Sequence, residues 1–429
     1  MIEQIIQSIH MAMEENGLAE IKYEDKEDIM NTTYEFILMY MSEFLLTMQK
    51  PSFHVDLCDA ALEYLTKTYE NIYNEELEEE LRWVIQRACS LYFSTVIPRR
   101  SYKNTFEKPR VNKEKIQRIV DFLRSVPQNE QRTPEWYEDR WNMISASSAW
   151  KALSSDAHKN SLIYEKCTPL NTDKFSSVNV ASPFHWGQKY EPLSIIIYED
   201  KYNTKVEDFG CIPHKEFKNI GASPDGINTD PNSTRFGRMV EVKNRFSESV
   251  PITGNPKEEY WIQMQLQMNV CELNECDFLE TRFKEYSSSQ EFYEDGEEFN
   301  KTNDGKMKGI YIYFQKDGFP HYEYPPLHQS REEFERWETE IIEKKVNEGY
   351  EWIKNNYWYL DKYSCVLVFR NCSWFNEAVV KINDVWDTIV KERVTGYEHR
   401  APNKRVRKIS EPPKPKCLIN TKLLKVISN

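Results

Sequence analysis

The stretch Gly221-Ala222-Ser223-Pro224-Asp225-Gly226, followed by Met239-Val240-Glu241-Val242-Lys243, decides how the rest of the chain is interpreted. Pro-Asp-Gly predicts a tight turn, because Pro fixes φ, Asp can hydrogen-bond its own backbone and Gly accepts a positive φ. If the second segment is extended, its side chains alternate between faces, so Glu241 and Lys243 share one face while the valines face the core. The sequence therefore predicts two carboxylates, those of Asp225 and Glu241, beside one ammonium.

This combination of side chains is typical of metal-dependent phosphodiester cleavage. One or two Mg²⁺ ions held by carboxylate oxygens activate a water molecule and neutralise charge on the phosphate. We expect Asp225 and Glu241 to be the metal ligands. Lys243 would hold or deprotonate the attacking water and stabilise the developing negative charge. This chemistry requires no thiolate or imidazole.

A polar helix is predicted directly after this strand, over residues 258–270. In a helix, Tyr260, Gln263 and Gln267 lie along one face, whereas Trp261, Met264 and Met268 form a neighbouring apolar stripe. Side-chain amides just after the predicted metal strand suit a surface that contacts a ligand.

Two upstream stretches complete a set of five motifs. They are Thr133-Pro134-Glu135-Trp136-Tyr137-Glu138-Asp139-Arg140 with Ile144-Ser145-Ala146-Ser147, and Trp186-Gly187-Gln188-Lys189-Tyr190-Glu191. Together with Ser-Pro-Asp-Gly, Glu-Val-Lys and Tyr-Trp-Ile-Gln-Met-Gln, they resemble the PD-(D/E)XK nucleases of the lambda exonuclease, or YqaJ viral recombinase, family. The resemblance covers roughly residues 130–315. The C-terminal continuation is similar to that of such proteins from large DNA viruses.

The resemblance implies a role for each matching residue. Metal ions, Mg²⁺ or Mn²⁺, would be held by Glu191, Asp225 and Glu241, and Lys243 would serve the attacking water. Gln263 and Gln265 would orient the catalytic site. The phosphate at the 5′ end of DNA would be bound by Arg140, Ser147 and Ser223.

The fold class predicted from these motifs is α/β. It consists of a restriction-endonuclease-like core, with a mixed central sheet flanked by helices, behind an N-terminal all-helical domain. The predicted divisions are a helical domain at 1–97, a basic linker at 98–111, a YqaJ-like nuclease core at 112–320, a helical C-terminal extension at 321–399 and a basic disordered tail at 400–429. The helical domain could bind a partner, dock a second subunit or cap the nuclease.

The composition limits the partners and the compartment. The net charge of −13 is unusual for a DNA-binding protein, but Lys and Arg residues cluster between positions 99 and 118. The nine cysteines show no C-x-x-C spacing, so reduced thiols are expected. The N-terminus does not resemble a signal peptide, and no run of apolar residues is long enough to span a bilayer. We expect a soluble intracellular protein, in the host nucleus or cytoplasm if it is viral.

The sequence thus predicts an exonuclease that digests one strand of a duplex from its 5′ end during viral or phage-type recombination, replication or genome processing. Duplex DNA ends, a single-strand annealing protein and further copies of the chain are the expected partners. Two alternatives remain open at this stage. One is an endonuclease of the same fold that acts on DNA or RNA, and the other is a catalytically inert nucleic-acid- or protein-binding scaffold.

Overall fold

The computed structural model of the protein describes residues 23–70, 75–103, 112–129, 133–170, 179–180 and 182–402. Parts of four predicted segments lie outside these residues. They are positions 1–22 and 71–74 of the helical domain, 104–111 of the basic linker, 130–132, 171–178 and 181 of the nuclease core, and 403–429 of the basic tail.

The N-terminal helices share a hydrophobic core with the rest of the molecule. The described elements are α1 (Tyr23–Phe44), a 3₁₀ turn (Leu45–Gln49), α2 (Phe53–Thr68) and α3 (Glu75–Thr95). Apolar residues repeat on one face at helical spacing, as at Phe53, Leu57, Ala61 and Leu65, which are all buried. These side chains belong to one cluster with residues of the central sheet and of the later helices. The prediction of helices in this region is confirmed for the described residues.

A seven-stranded mixed sheet forms the centre of the molecule. Its strand order is β2-β5-β6-β7-β10-β8-β9, in which β6 and β7 run parallel and the other neighbours run antiparallel. A smaller sheet has the order β1-β4-β3. The strands are β1 (Ile144–Ser145), β2 (Val206–Glu207), β3 (Ile212–Pro213), β4 (Ile220–Ala222), β5 (Gly226–Asn228), β6 (Met239–Asn244), β7 (Glu275–Glu285), β8 (Lys308–Lys316), β9 (Phe319–Glu323) and β10 (Glu351–Phe369).

Helices surround these sheets, so the predicted α/β fold class is confirmed. They are α4 (Lys113–Ser125), α5 (Pro134–Trp141), α6 (Ala146–Ala149), α7 (Asp156–Cys167), α8 (Pro183–Tyr202), α9 (Glu258–Val270), α10 (Ser289–Glu294), α11 (Arg331–Asn347) and α12 (Cys372–Thr395). Helix α5 begins where its sequence dictates, because the Thr133 hydroxyl accepts a hydrogen bond from the Trp136 N–H and Pro134 occupies the first turn. In the described part of the chain, no helix combines the length and the apolar character needed to cross a membrane.

The prediction of a helical extension over residues 321–399 is wrong in one major respect. Strand β10 has 19 residues and lies inside the sheet, paired antiparallel with β7 on one side and with β8 on the other. Only the last part of β10 is a run of apolar residues. The pairing register of β10 shifts once along β7 and once along β8. Because the side chains of β10 do not alternate cleanly between apolar and polar, the sequence lacks the period-two signal of a strand. The sheet that carries the site therefore includes part of the segment predicted to lie outside it.

Candidate active site

The β5–β6 hairpin brings together the two carboxylates predicted as metal ligands. Asp225 immediately precedes β5, and its Oδ2 accepts a hydrogen bond of 2.8 Å from the backbone N–H of Val242 in β6. Glu241, on β6, is fully buried, and its Oε1 accepts a hydrogen bond from the Lys243 Nζ. Val240 and Val242 pack in a separate apolar cluster with Tyr198 of α8. The predicted alternation along this strand is therefore correct.

Negative charge dominates this part of the protein. Burial raises the pKa of Asp225 well above its ordinary value, and the nearby carboxylates of Glu241 and Glu191 raise it further. Burial opposes the charge of Lys243, but the carboxylates of Glu241 and Asp225 more than compensate, so the pKa of Lys243 is raised. Glu191, Asp225 and Glu241 thus form an acidic cluster, and the Lys243 ammonium interacts with Glu241 and Asp225.

Helix α9 contributes the amide of Gln267 to this cluster, which the sequence placed on one face with Gln263, whereas the resemblance implied Gln263 and Gln265. The Gln267 Nε2 donates to the Glu241 Oε2 at 2.7 Å, and it lies 3.5 Å from the backbone oxygen of Ser223. The Gln267 Oε1 is buried and has no hydrogen-bond partner among the described residues. Lys243 and Gln267 therefore hold the two oxygens of Glu241 in place.

The structure does not bring Gln265 to the carboxylates. Its side chain donates to the Phe369 backbone oxygen at 2.9 Å and accepts from the Asn371 N–H at 2.7 Å, so it secures the chain between β10 and α12. Gln263 is largely buried on the same helix and lies one turn before Gln267. The spacing of four residues between Gln263 and Gln267 was the sequence signal that could have identified Gln267.

A cationic cluster of Arg140 with the hydroxyls of Ser145 and Ser147 lies where α5, β1 and α6 meet. The Arg140 Nη2 donates to the Ser147 Oγ at 2.9 Å and to the Ser145 Oγ at 3.1 Å. The guanidinium stacks on the Trp136 ring, with 4.4 Å between its central carbon and the ring centroid. Among the described residues, no carboxylate is close enough to form an ion pair with it. Burial lowers the pKa of Arg140, which indicates a positive charge held in a poorly solvated place.

Ser223 connects this cationic cluster to the carboxylates. Its hydroxyl is buried and has no ordinary hydrogen-bond partner among the described residues, but the weakly hydrogen-bonding thiol of Cys211 lies close to it. Burial raises the pKa of that thiol, while Arg140 and Ser223 both act to lower it, so both side chains lie close to Cys211. Two residues after Ser223, the chain reaches Asp225. The predicted phosphate-binding residues and the predicted metal ligands therefore occupy adjoining parts of one site.

Known proteins with similar sequences support this grouping of motifs. Residues 135–274, which include all of the site residues described above, match the family model of the YqaJ-like viral recombinase domain. The chain carries a YqaJ-like viral recombinase domain. An uncharacterized protein of Acanthamoeba polyphaga mimivirus is 29% identical over 307 residues, which are 63% of this chain and 54% of that protein. This chain thus spans about half the length of that relative.

Solved structures with a similar arrangement include an alkaline exonuclease of Laribacter hongkongensis. It is 17% identical to this chain, with a TM-score of 0.37, and the match covers 61% of this chain and 94% of that one. The same enzyme in complex with dAMP matches with a TM-score of 0.36 and the same identity and coverage.

The YqaJ-like domain has one further cation that no motif indicated. Lys166 of α7 is buried, and its Nζ donates a hydrogen bond to the backbone oxygen of Arg140. Burial lowers the pKa of Lys166 to about 8, and although Glu165 opposes this shift, Arg140 and other cations contribute to it. Lys166 thus holds the end of α5 in place and adds positive potential behind Arg140.

The acidic residues of the YqaJ-like domain fit a hard divalent cation by their chemistry. Within the described ranges, no three His, Cys, Asp or Glu side chains already have the arrangement of a metal site. Carboxylate oxygens are nevertheless the ligands that Mg²⁺ and Mn²⁺ prefer. The buried, unpartnered Gln267 Oε1 is another hard oxygen next to Glu241. A divalent cation at this place would also relieve the repulsion among the three carboxylates.

Proposed function

We propose that this protein is a metal-dependent exonuclease that digests one strand of duplex DNA from its 5′ end, in viral or phage-type recombination, replication or genome processing. The observation that carries the proposal is the junction at Ser223 and Asp225. There the cationic cluster around Arg140 lies next to the acidic cluster that contains Asp225. Such a junction suits a substrate whose terminal phosphate lies near the phosphodiester that is cut. The presence of a YqaJ-like viral recombinase domain is consistent with this activity.

In this proposal, Glu191, Asp225 and Glu241 hold Mg²⁺ or Mn²⁺. The bound ions would supply charge neutralisation at the phosphate and a more acidic water. Lys243 holds the attacking water in line with the phosphorus and donates a hydrogen bond to the phosphate as negative charge develops. Gln267 keeps the Glu241 carboxylate oriented, with its Nε2 at 2.7 Å from Oε2. The hydroxyls of Ser147 and Ser223, together with Arg140, bind the 5′-terminal phosphate.

Linear duplexes that differ only in their 5′ ends provide the main test. We expect the protein to degrade a 5′-phosphorylated linear duplex in Mg²⁺ about 10- to 100-fold faster than a 5′-hydroxyl duplex, because a charge-assisted hydrogen bond contributes about 1.5–3 kcal/mol. Arg140→Gln should bring this ratio towards one, whereas Arg331→Gln, a substitution on exposed α11, should not change it. Because the ratio is measured within each variant, partial unfolding of the variant cancels out.

The same experiment separates the alternatives. Cutting of covalently closed circular duplex at the rate of linear duplex would favour an endonuclease, and faster cutting of RNA than of DNA would make RNA the substrate. If the protein cuts none of these in Mg²⁺ or Mn²⁺, the inert scaffold is correct. The expected partners of the exonuclease are a single-strand annealing protein and further copies of the chain.

Two glutamines on α9 give a matched test of the site. Gln267→Leu should lower the rate of cutting about 10- to 100-fold, because it removes the side chain that orients a proposed metal ligand. Gln265→Leu should instead leave the rate near that of the parent but lower the free energy of unfolding by about 1–3 kcal/mol, since two backbone groups lose their partner. Initial rates at low temperature and urea unfolding measure the two effects. The opposite pattern would assign the catalytic amide to Gln265.

A further inference from the structure

A pocket of about 280 Å³ is formed in part by residues that are close in sequence to Glu191 and Lys243, and its chemistry differs from that of the acidic cluster. Its walls include the aromatic side chains of Trp186, Phe246, Tyr311, Tyr313 and Tyr322. Trp186 belongs to the first turns of α8, Phe246 follows β6, and the tyrosines lie on β8 and β9. This concentration of aromatic rings at a solvent-accessible pocket indicates a surface for a flat ligand.

The aromatic rings contact one another in pairs, and Phe246 is largely exposed. Trp186 and Phe246 meet edge to face, with ring centroids 5.1 Å apart, and Phe246 is 55% exposed. On the opposite strands, Tyr313 and Tyr322 have centroids 5.2 Å apart and a small interplanar angle of 32°. The indole N–H of Trp186 is buried and has no hydrogen-bond partner among the described residues. A ligand with a flat face and a hydrogen-bond acceptor would satisfy both features.

The charge of the pocket favours an anion. Lys189 forms an ion pair with Glu285 at 2.7 Å and lies 4.3 Å from the centroid of the Trp186 ring. The same oxygen of Glu285 also accepts hydrogen bonds from Tyr190 and Tyr311, so three donors share this one oxygen. Lys354 of β10 is exposed and close enough to Lys189 to lower the pKa of that lysine, together with burial. Lys354 therefore supplies positive charge that Glu285 does not neutralise.

Short connections join the pocket to the catalytic residues. Trp186 lies five residues before Glu191 on α8, and Phe246 lies three residues after Lys243. The Asn244 Nδ2 donates to the backbone oxygen of Gly187 at 3.0 Å, which ties the end of β6 to the start of α8. The pocket and the acidic cluster are therefore built on the same two parts of the chain, α8 and the strand β6 with the loop that follows it.

We propose that this pocket binds an unpaired nucleobase of single-stranded DNA, with Lys354 on the adjacent phosphate and the aromatic rings stacked on the base. Aromatic rings combined with a positive groove are the usual means of holding single strands without sequence preference, because every base has a π face. The inference rests on the proposed function, because it states that the DNA held next to the carboxylates, as substrate or product, is single-stranded.

Binding of a single strand in the absence of cutting tests the pocket. The probe is a fluorescent oligothymidylate with a 5′-hydroxyl, titrated with the full chain in EDTA and followed by fluorescence anisotropy. Tyr313→Ala and Lys354→Met should each raise its Kd roughly tenfold. Tyr313→Phe keeps the ring and should bind like the parent, which separates stacking from loss of the hydroxyl. Tyr64→Ala, on exposed α2, is the matched control and should leave the Kd unchanged.

The outcomes distinguish this inference from the proposed function. Unchanged Kd values for Tyr313→Ala and Lys354→Met overturn the inference, even if the parent protein degrades linear duplex. Weakened binding by these variants supports the inference, and failure of the parent to cut duplex would then remove only the exonuclease. Free thymidine monophosphate that displaces the probe at a concentration equal to the oligonucleotide Kd would identify a mononucleotide site and overturn the single-strand assignment.

Discussion

Replacing Asp225 by Asn is expected to abolish DNA cutting and to leave the folded protein as stable as the parent, or more stable. The amide oxygen of Asn can still accept the hydrogen bond from the Val242 N–H, which is 2.8 Å long in the parent. The substitution removes one of three carboxylates whose mutual repulsion and burial oppose ionisation of Asp225. It also removes one proposed metal ligand, so the rate should fall at least roughly 10³-fold, the effect of several kcal/mol of lost transition-state stabilisation.

The two effects are measured separately, as the rate of linear duplex degradation in saturating Mg²⁺ and as the midpoint of thermal unfolding in EDTA. Asp230→Asn is a suitable control, because Asp230 lies in the β5–β6 loop and is not part of the acidic cluster. Retained cutting by Asp225→Asn would exclude the proposed catalytic role of this residue. A sharp fall in the midpoint of thermal unfolding would instead show that Asp225 has a structural role. The loss of cutting by this variant would then not be evidence for a catalytic role.

Local chemistry made the centre of the site predictable. The turn at Pro224-Asp225-Gly226 and the alternation along Met239–Lys243 depend on nearby residues, so the juxtaposition of Asp225, Glu241 and Lys243 followed from short segments. Glu191 was predictable only from the order of motifs, because a glutamate in a helix is ordinarily a surface residue.

Features that depend on distant parts of the chain were not predictable in the same way. Helical spacing placed Gln263 and Gln267 on one face of α9, but which of the two reaches Glu241 depends on the position of α9 over the sheet, and the resemblance implied Gln263 and Gln265. Lys166 has no sequence signature, since its position is set by the packing of α7 against the end of α5. Strand β10 lies between β7 and β8 in the sheet, although it follows both of these strands in the sequence. Such pairings leave little trace in a single sequence.

Arg100 gives the second large effect, and it concerns the N-terminal helices whose role the sequence left open. Its guanidinium is buried and donates twice to the Gln49 backbone oxygen, at 2.8 and 3.2 Å, at the end of the 3₁₀ turn. The Arg100 backbone oxygen accepts from the Trp261 indole N–H at 2.8 Å, which links the turn to α9. Burial lowers the pKa of Arg100 to about 9, although Glu258 and Glu259 oppose this shift. Arg100 thus joins the N-terminal helices to the helix that carries Gln267.

Arg100→Met should therefore lower the free energy of unfolding by about 3–5 kcal/mol, because the Gln49 backbone oxygen and the Asn255 amide oxygen each lose a charged donor, and such hydrogen bonds contribute about 1.5–3 kcal/mol each. Arg99→Met is the matched control. Arg99 is exposed, and its guanidinium donates to the Ser90 hydroxyl, so its loss should change stability by only about 0.5 kcal/mol. Urea unfolding followed by tryptophan fluorescence measures both variants. Because α9 also orients Glu241, Arg100→Met should lower the cutting rate at temperatures where the protein remains folded. Equal stability of the two variants would mean that the fold does not depend on the hydrogen bonds of the Arg100 guanidinium.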